Sequence, residues 1–512
     1  MMKKYTIKDY IEILKKHNQL IEVNNCEQIL QKQVSYLSYN SNDVITDTLF
    51  FCKGFGNNFK EEYLVSAKEK GAFCYISMKR YEKVNLPCII VKDCFISLSI
   101  VSDLYFNQVA NQLNLIGITG TKGKSTTSYF VKSILDEYAL ANQKKDTAII
   151  SSIFTYDGKN TYKSKLTTPE SYDLNQNLYN AYESKMQNVV MEVSSQALKL
   201  GRVYHLNYDI SAFLNISEDH VGPIEHPDFD DYFSSKLKIF EKSKISCINL
   251  DDALCDVILK KAKTTDTKII TFSTKNEKAD VYAYEIHKEG LNTVFRVKEK
   301  EMDFDVTLTI PGLFNVENAL AAIAITTAMG IEQEYIVRGL RKAKSEGRME
   351  LYYSQDKKIL AIVDYAHNKV SFEKIFETTK KEYPDRKIVA LFGCTGNKAQ
   401  IRRKDLGEVA GQNADYIYIT ADDPAFETVY QISSEIAKYV QKYTSHYEIV
   451  EDRSVAIKKA VDYVLSKEEK YIILLLGKGN EVKQKVGQDY VPYPGDSQNI
   501  RAYIASYEEN KK

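Results

Sequence analysis

The stretch Leu113–Tyr138, LNLIGITGTKGKSTTSYFVKSILDEY, decides the fold of the chain. It opens on a short apolar run, Leu115 to Ile118, that suits a buried strand. A glycine-rich turn follows with Gly120, Thr121, Lys122, Gly123, Lys124, Ser125 and Thr126. Val131, Ile134, Leu135 and Tyr138 then recur at the spacing of one helical face. Strand, glycine-rich turn and helix start, in that order, are the surroundings a phosphate loop requires. Glycines let backbone N–H groups turn inward on phosphates, and the helix N-terminus adds partial positive charge. Lys124 can reach the outer phosphates, and Ser125 or Thr126 offers a hydroxyl to Mg²⁺. The run reads G-x-x-G-x-x-G-K-S-T from Gly117, with Ile118 where the general motif has glycine.

Outward from this loop, strand and helix patterns alternate along the whole chain, which predicts an α/β protein. At 512 residues there is too much chain for one core. Residues 1–108 show strands at Thr48–Phe51, Ala72–Ile76 and Cys88–Val91 and a helix near Tyr63–Lys70. Residues 109–344 carry the phosphate loop and further strands at Thr147–Ile150, Val189–Val193, Ile210–Leu214, Ile245–Asn249 and Ile269–Phe272. That alternation implies a mostly parallel sheet with ligands at the carboxyl ends of its strands. The polar run SEGRME, at about 345–350, is a candidate linker. The third α/β unit, 345–512, has strands at Ile359–Val363, Ile388–Phe392, Tyr416–Ile419 and Ile472–Leu476.

Composition narrows the function. Lys+Arg and Asp+Glu are both 69, so the net charge is zero and non-specific nucleic-acid binding is not expected. No apolar run approaches the ~20 residues that span a bilayer. The start, MMKKYTIKDYIEILKKHNQL, reads as an amphipathic helix through Tyr10, Ile13 and Leu14 and not as a signal peptide. Eight cysteines with no C-x-x-C pair read as reduced, buried thiols of a cytoplasmic protein.

Around the phosphate loop, Val189-Val190-Met191-Glu192 sets a carboxylate at a strand end, a metal ligand or a partly buried acid. The next strand runs into Asn215-Ile216-Ser217-Glu218-Asp219-His220, where His220 could ligate a second cation or lie at the surface. In Tyr232–Phe240, Lys236 and Lys238 sit about 200° apart on a helix, so one of the two could face inward.

Eight segments occur in the order seen in Mur ligases: GITGTKGKSTT, TTPES (Thr167–Ser171), MEVSSQAL, NISEDH, GLFNVENALAA, EGRME, DYAHN (Asp364–Asn368) and GKGNE (Gly477–Glu481). The chain resembles that family over nearly its whole length, and within it the tripeptide synthetases of the MurE type. The resemblance implies three domains: an N-terminal UDP-binding unit, a central ATPase-like unit and a Rossmann-like C-terminal unit. It implies ATP and Mg²⁺ as cofactors. The implied substrates are small molecules: UDP-MurNAc-L-Ala-D-Glu, a diamino acid and ATP. An acyl phosphate, formed on the free carboxylate and attacked by an amine, is the implied intermediate. A monomer that binds neither nucleic acid nor membrane is expected.

Carried over by position, Lys124, Ser125 and Thr126 match the nucleotide-phosphate and Mg²⁺ residues, and Glu192 and His220 match metal ligands. Lys236 matches the lysine these ligases carry as a carbamate, which would support Mg²⁺. Asn318, Arg348 and Asp364 match adenine, phosphate and ribose contacts. Thr167, Thr168, Ser194 and Arg202 match contacts to the UDP-MurNAc-dipeptide, and Ser41 occupies the place of a uridine-contacting serine. There the family's Asp-Ser-Arg reads Asn40-Ser41-Asn42. Diaminopimelate enzymes carry Asp-Asn-Pro-Arg where this chain has Asp422-Asp423-Pro424-Ala425. Alanine cannot make the bidentate contact to a second carboxylate, and Asp423 favours an ammonium. L-Lysine is the expected substrate, with ornithine next and diaminopimelate possible should Arg402 or Arg403 stand in. Lys398 matches the site of an arginine that holds the substrate carboxylate, and Glu481 would hold an amino group. The rival readings are a folylpolyglutamate-synthetase-like ligase and a non-catalytic nucleotide-binding partner built on the same scaffold.

Overall fold

A computed structural model describes residues 3–54, 59–218, 222, 225–300, 302–344, 347–397 and 400–511. Of the candidate site residues, His220 and Lys398 lie outside the described residues. The chain forms two compact units. The first holds residues 1–283, 298–302 and 317–339, and the second holds 284–297, 303–316 and 340–512.

The first unit carries two sheets. The smaller has strands β1 (Leu20–Asn24), β2 (Tyr36–Ser38), β3 (Thr48–Phe51), β4 (Ala72–Ser77) and β5 (Cys88–Val91) in the order β1-β5-β4-β3-β2. All four residues of β3 and of β5 are buried, which is why they read as unbroken apolar runs and not as alternation. Leu49, Phe51, Ile76, Ile89 and Val91 face one core, while Phe50, Tyr75 and Ile90 face another with Leu64 and Ala67.

The larger sheet is built on β6 (Asn114–Thr119), β7 (Ala148–Ile150), β8 (Phe154–Tyr156), β9 (Thr161–Lys163), β10 (Asn188–Glu192), β11 (Tyr208–Phe213), β12 (Ser243–Asn249) and β13 (Lys268–Ser273). Their order is β13-β12-β11-β6-β10-β7-β8-β9. From β7 to β13 the pairing is parallel, and β7-β8-β9 close that edge as an antiparallel meander. The chain leaves β6 toward the β10 side first and returns later to its β11 side. The carboxyl end of β6 is therefore the switch point of the sheet, and the phosphate loop starts there. Helix Lys124–Ala141 buries Val131, Ile134 and Leu135. Tyr138 is only half-buried, edge-on to Tyr335.

Three strands follow that the sequence reading leaves out: β14 (Val281–Glu289), β15 (Asn292–Glu299) and β16 (Met302–Leu308), each neighbouring the next. Their hydrophobic content is split by charged residues at alternate positions, so no apolar run marks them.

The sheet of the second unit has β17 (Glu350–Tyr353), β18 (Leu360–Asp364), β19 (Lys387–Phe392), β20 (Tyr416–Ile419), β21 (Tyr447–Ile449) and β22 (Tyr471–Leu476), ordered β17-β18-β22-β19-β20-β21. Only β17 is antiparallel. Glu350, at the end of the candidate linker, already belongs to β17. Val363, Leu391, Ile473 and Leu475 pack with Ala456, Ile457, Ala460 and Ile500 from the covering helices. A separate hairpin, β23 (Lys483–Val486) with β24 (Asp489–Pro492), stands apart from this sheet.

Candidate active site

Gly120 and Gly123 adopt φ of +153° and +87°. A Cβ on Gly120 would lie 3.0 Å from the Leu214 Cβ, and one on Gly123 would lie 2.3 Å from Asn318 Oδ1. Both positions therefore require glycine, the second because Asn318 is drawn against the loop. Asn318 also accepts from the Thr127 hydroxyl at 3.4 Å, in the first turn of helix Lys124–Ala141. The loop is pinned from β11 as well. Thr121 N–H donates to Asn215 O at 3.0 Å, and Lys122 N–H donates to Asn215 Oδ1 at 2.8 Å.

Lys124 caps its own loop, donating to the carbonyls of Gly120 at 2.9 Å and Thr121 at 3.1 Å. Lys236 donates to the same Gly120 oxygen at 3.0 Å and is only 2% exposed, with its ammonium 4.8 Å from the centre of the Tyr232 ring. Of the two candidate lysines, Lys236 is the buried one, and Lys238, just past the end of helix Phe229–Leu237, is exposed. Two ammonium groups thus meet at one carbonyl beside the helix N-terminus.

On the other side of the loop, the Ser125 hydroxyl lies 3.0 Å from the Ser152 hydroxyl. Ser152 donates to Glu192 Oε1 from its N–H at 2.8 Å and from its hydroxyl at 3.2 Å. Glu192 is buried, as is Thr126 one residue beyond Ser125. Serine hydroxyls and a carboxylate at a helix N-terminus are hard oxygen donors of the kind Mg²⁺ selects. Ser152 was not singled out from the sequence. The signal for it was its position just past β7, since ligands gather at the carboxyl ends of parallel strands.

Thr168, Ser194 and Arg202 come together next to this carboxylate. The Thr168 hydroxyl donates to Glu192 O at 2.9 Å and accepts from Ser194 N–H at 3.0 Å. Arg202 donates to Thr168 O at 3.3 Å and pairs with Glu170 at 3.2 Å, while Lys53 pairs with the other oxygen of Glu170 at 2.6 Å. Thr167 directly precedes Thr168. Ser41 lies in the loop after β2, where its carbonyl accepts from Lys70 at 2.8 Å.

In the second unit, Arg348 stacks 4.9 Å over the Tyr365 ring. Asp364 accepts backbone N–H groups from Met349 at 2.8 Å and Ala366 at 2.7 Å. Burial raises the Asp364 carboxyl above its ordinary range, with Arg348 opposing. Asp422, Asp423 and Glu481 converge around Lys478, a fully buried lysine that the sequence reading passed over inside GKGNE. Its ammonium lies 2.7 Å from Asp423, 2.7 Å from Glu481 and 3.7 Å from Asp422. Burial pushes the Asp422 carboxyl up to about 6, with Lys478 pulling the other way. A Cβ on Gly477, at φ +102°, would come 3.0 Å from that carboxylate. Three carboxylates against one ammonium leave a net negative site. Arg403 is engaged elsewhere, one nitrogen donating to both oxygens of Glu427 at 2.8 and 2.9 Å and another to Glu435 at 2.7 Å.

Two family models match the chain, the Mur ligase middle domain over residues 118–326 and the Mur ligase glutamate ligase domain over 347–479. A UDP-N-acetylmuramoyl-L-alanyl-D-glutamate–L-lysine ligase of Enterococcus faecalis is 38% identical over 480 residues, 93% of this chain and 92% of that one. The chain is a Mur ligase. A UDP-N-acetylmuramyl-tripeptide synthetase of Limosilactobacillus reuteri is 35% identical, covering 97% of this chain and 98% of its own. Among solved structures, a UDP-N-acetylmuramoyl-L-alanyl-D-glutamate–2,6-diaminopimelate ligase superposes with a TM-score of 0.69 at 22% identity, covering 99% of this chain and 100% of that one. A folylpolyglutamate synthase of Thermotoga maritima reaches 0.58 at 16% identity and covers 74% of this Mur ligase and 90% of its own chain. The first of these likenesses, which spans the whole chain, establishes the three-domain α/β fold. Membership makes the protein an ATP-dependent, ADP-forming ligase that works with Mg²⁺. Among the described residues of this Mur ligase, no helix is long and apolar enough to cross a membrane.

Proposed function

We propose that this Mur ligase adds L-lysine to UDP-MurNAc-L-Ala-D-Glu, within domains spanning 1–108, 109–344 and 345–512. The observation that carries the choice of amino acid is the acidic trio Asp422, Asp423 and Glu481 beside Ala425, in a site with surplus negative charge. Of the two candidates for pairing with a second carboxylate, Arg402 and Arg403, the latter is already held by Glu427 and Glu435. The Enterococcus faecalis relative, named for L-lysine, supports the same reading.

In this reading the γ-phosphoryl group of ATP passes to the free carboxylate of the D-glutamyl residue and ADP departs. The amine of lysine attacks the acyl phosphate carbon, an amide forms, and phosphate and a proton leave. Lys124 exchanges the carbonyls of Gly120 and Thr121 for the outer phosphates, and the N–H groups at the start of helix Lys124–Ala141 cradle the rest. Ser125, Glu192 and the neighbouring Thr126 would hold Mg²⁺, which supplies charge neutralisation between two polyanionic reactants. Lys236, as a carbamate, would set an anion beside Lys124 in place of a second ammonium. Thr168, Ser194 and Arg202 orient the dipeptide, and Asn318, Arg348 and Asp364 take the nucleotide. Unpaired cysteines at all eight positions support a reducing, cytoplasmic setting.

Purified enzyme with UDP-MurNAc-L-Ala-D-Glu, ATP and each of L-lysine, L-ornithine and meso-diaminopimelate tests the assignment. Phosphate release with lysine well above the others is the expected outcome. Turnover with diaminopimelate well above lysine overturns it. Carbamylation of Lys236 is read by carbon NMR after equilibration with labelled carbon dioxide, with the signal absent in Lys236→Arg.

A further inference from the structure

The hairpin of β23 and β24 is joined to the segment Asp422–Ala425 by backbone groups. Its turn has two residues, Gly487 and Gln488, and Gly487 at φ +61° supplies the conformation such a turn needs. In a two-residue hairpin the closing pair, here Val486 and Asp489, bonds across the ladder. The next pair, Lys485 and Tyr490, then directs its backbone groups outward. They find partners there. Lys485 N–H donates to Asp423 Oδ1 at 3.0 Å, and Lys485 O accepts from Ala425 N–H at 2.9 Å. Gly487 N–H completes the seam, donating to Ala425 O at 2.6 Å. Ala425 sits in the left-handed region at φ +51°, a conformation that alanine holds only when its surroundings impose it.

The consequence falls on Asp423. Its Oδ1 takes both the Lys478 ammonium at 2.7 Å and the Lys485 N–H. Among the described residues no hydrogen-bond donor falls on Oδ2, and the side chain keeps 22% of its surface open. A carboxylate held at one oxygen by two donors is fixed in rotation, with its second oxygen available to a cationic ligand. The Asp423 carbonyl is fixed too, by Gly396 N–H at 2.8 Å.

We propose that the β23–β24 hairpin is the positioning element for amino-acid selectivity. Through the Lys485 N–H it orients Asp423, so that Oδ2 receives the side-chain ammonium of the incoming diamino acid. This rests on the lysine-adding reading above. Among the described residues the hairpin meets the acidic trio through Asp423, so it should govern amino-acid affinity and discrimination and leave nucleotide use alone.

Lys485→Pro removes the N–H donor, and Lys485→Ala keeps it. The KM for L-lysine is expected to rise at least tenfold in Lys485→Pro relative to Lys485→Ala, with the KM for ATP within twofold between the two. Preference for lysine over ornithine should fall with it. A second variant guards against a failure to fold. Tyr493 N–H already donates to Val482 O at 2.9 Å, so replacing residues 483–492 by Asn-Gly closes a short turn across ends that already meet. It should give the same split between lysine KM and ATP KM. Retention of lysine KM and of lysine-over-ornithine preference by folded Lys485→Pro or by the excision variant overturns the proposal. If the unmodified enzyme adds another amino acid or none, the lysine-adding reading itself fails, and that is seen before any variant is made.

Discussion

Lys124 and Lys236 donate to the same carbonyl oxygen, yet they answer to different demands. Lys124 donates to two carbonyls of its own loop and must give them up to serve a phosphate. Lys124→Ala is therefore expected to lower ADP formation by at least ~10³-fold, on the scale of other electrostatic contacts to a transferring phosphoryl group. Its urea midpoint should stay close to that of the unmodified protein. Asp422 makes the pH dependence legible. Its carboxyl is raised to about 6, so the neutral form gains below that value. A raised acid favours the folded state while protonated, so the stability it contributes is present at low pH and lost as pH rises from its ordinary range through about 6. Binding of a cationic amino acid runs the opposite way. The KM for lysine should climb as pH falls through 6, and in Asp422→Asn that inflection should vanish from the lysine KM profile while overall affinity is weaker.

Among the elements, two junctions set the precision of the fold. Helix Gln333–Lys342 crosses helix Lys124–Ala141 at Gly339, where a Cβ would stand 2.4 Å from the Ile134 Cα. The Ser133 hydroxyl also donates to Gly339 O at 2.8 Å. Backbone cannot retreat there without parting the helices, so Gly339→Ala is expected to destabilise by about 2–3 kcal/mol in urea unfolding and to disturb the phosphate helix. In the second unit, helix Arg453–Leu465 is joined to helix Asp496–Glu509 by Arg453 and Asp496, paired through two bonds of 2.7 Å with neither side chain exposed. Arg453 also donates to Ala421 O and Leu476 O, the ends of the segments that lead to Asp422 and Gly477. Arg453→Met leaves a buried, unpaired Asp496, which predicts a loss of about 3–5 kcal/mol. A double variant with Asp496→Leu should recover part of that loss if the unpaired charge is its cause.

For the molecule as a whole, eight unpaired cysteines, seven of them buried and Cys255 half-buried, predict a thiol titration of at most one group in the native protein and eight after denaturation. More than one reactive thiol in the native state would contradict the packing described. The sequence by itself determined much here. Buried parallel strands must be continuous apolar runs, so β3, β5, β6, β10 and β22 could be read directly from one-dimensional pattern, with ends shifted by a residue or two. The phosphate loop was equally readable, because glycine, lysine and hydroxyl residues at fixed local spacing do local chemistry. Elements that pair at an edge with half their residues in water, such as β14–β16 and the β23–β24 hairpin, left no such run. Which of Lys236 and Lys238 is buried, that Ser152 joins Ser125 to Glu192, that Lys478 fills the acidic trio and that Arg403 is already paired were decided by tertiary structure alone. Each depends on residues tens of positions apart meeting in the fold, and spacing along the chain carries no record of which distant partner a side chain will find.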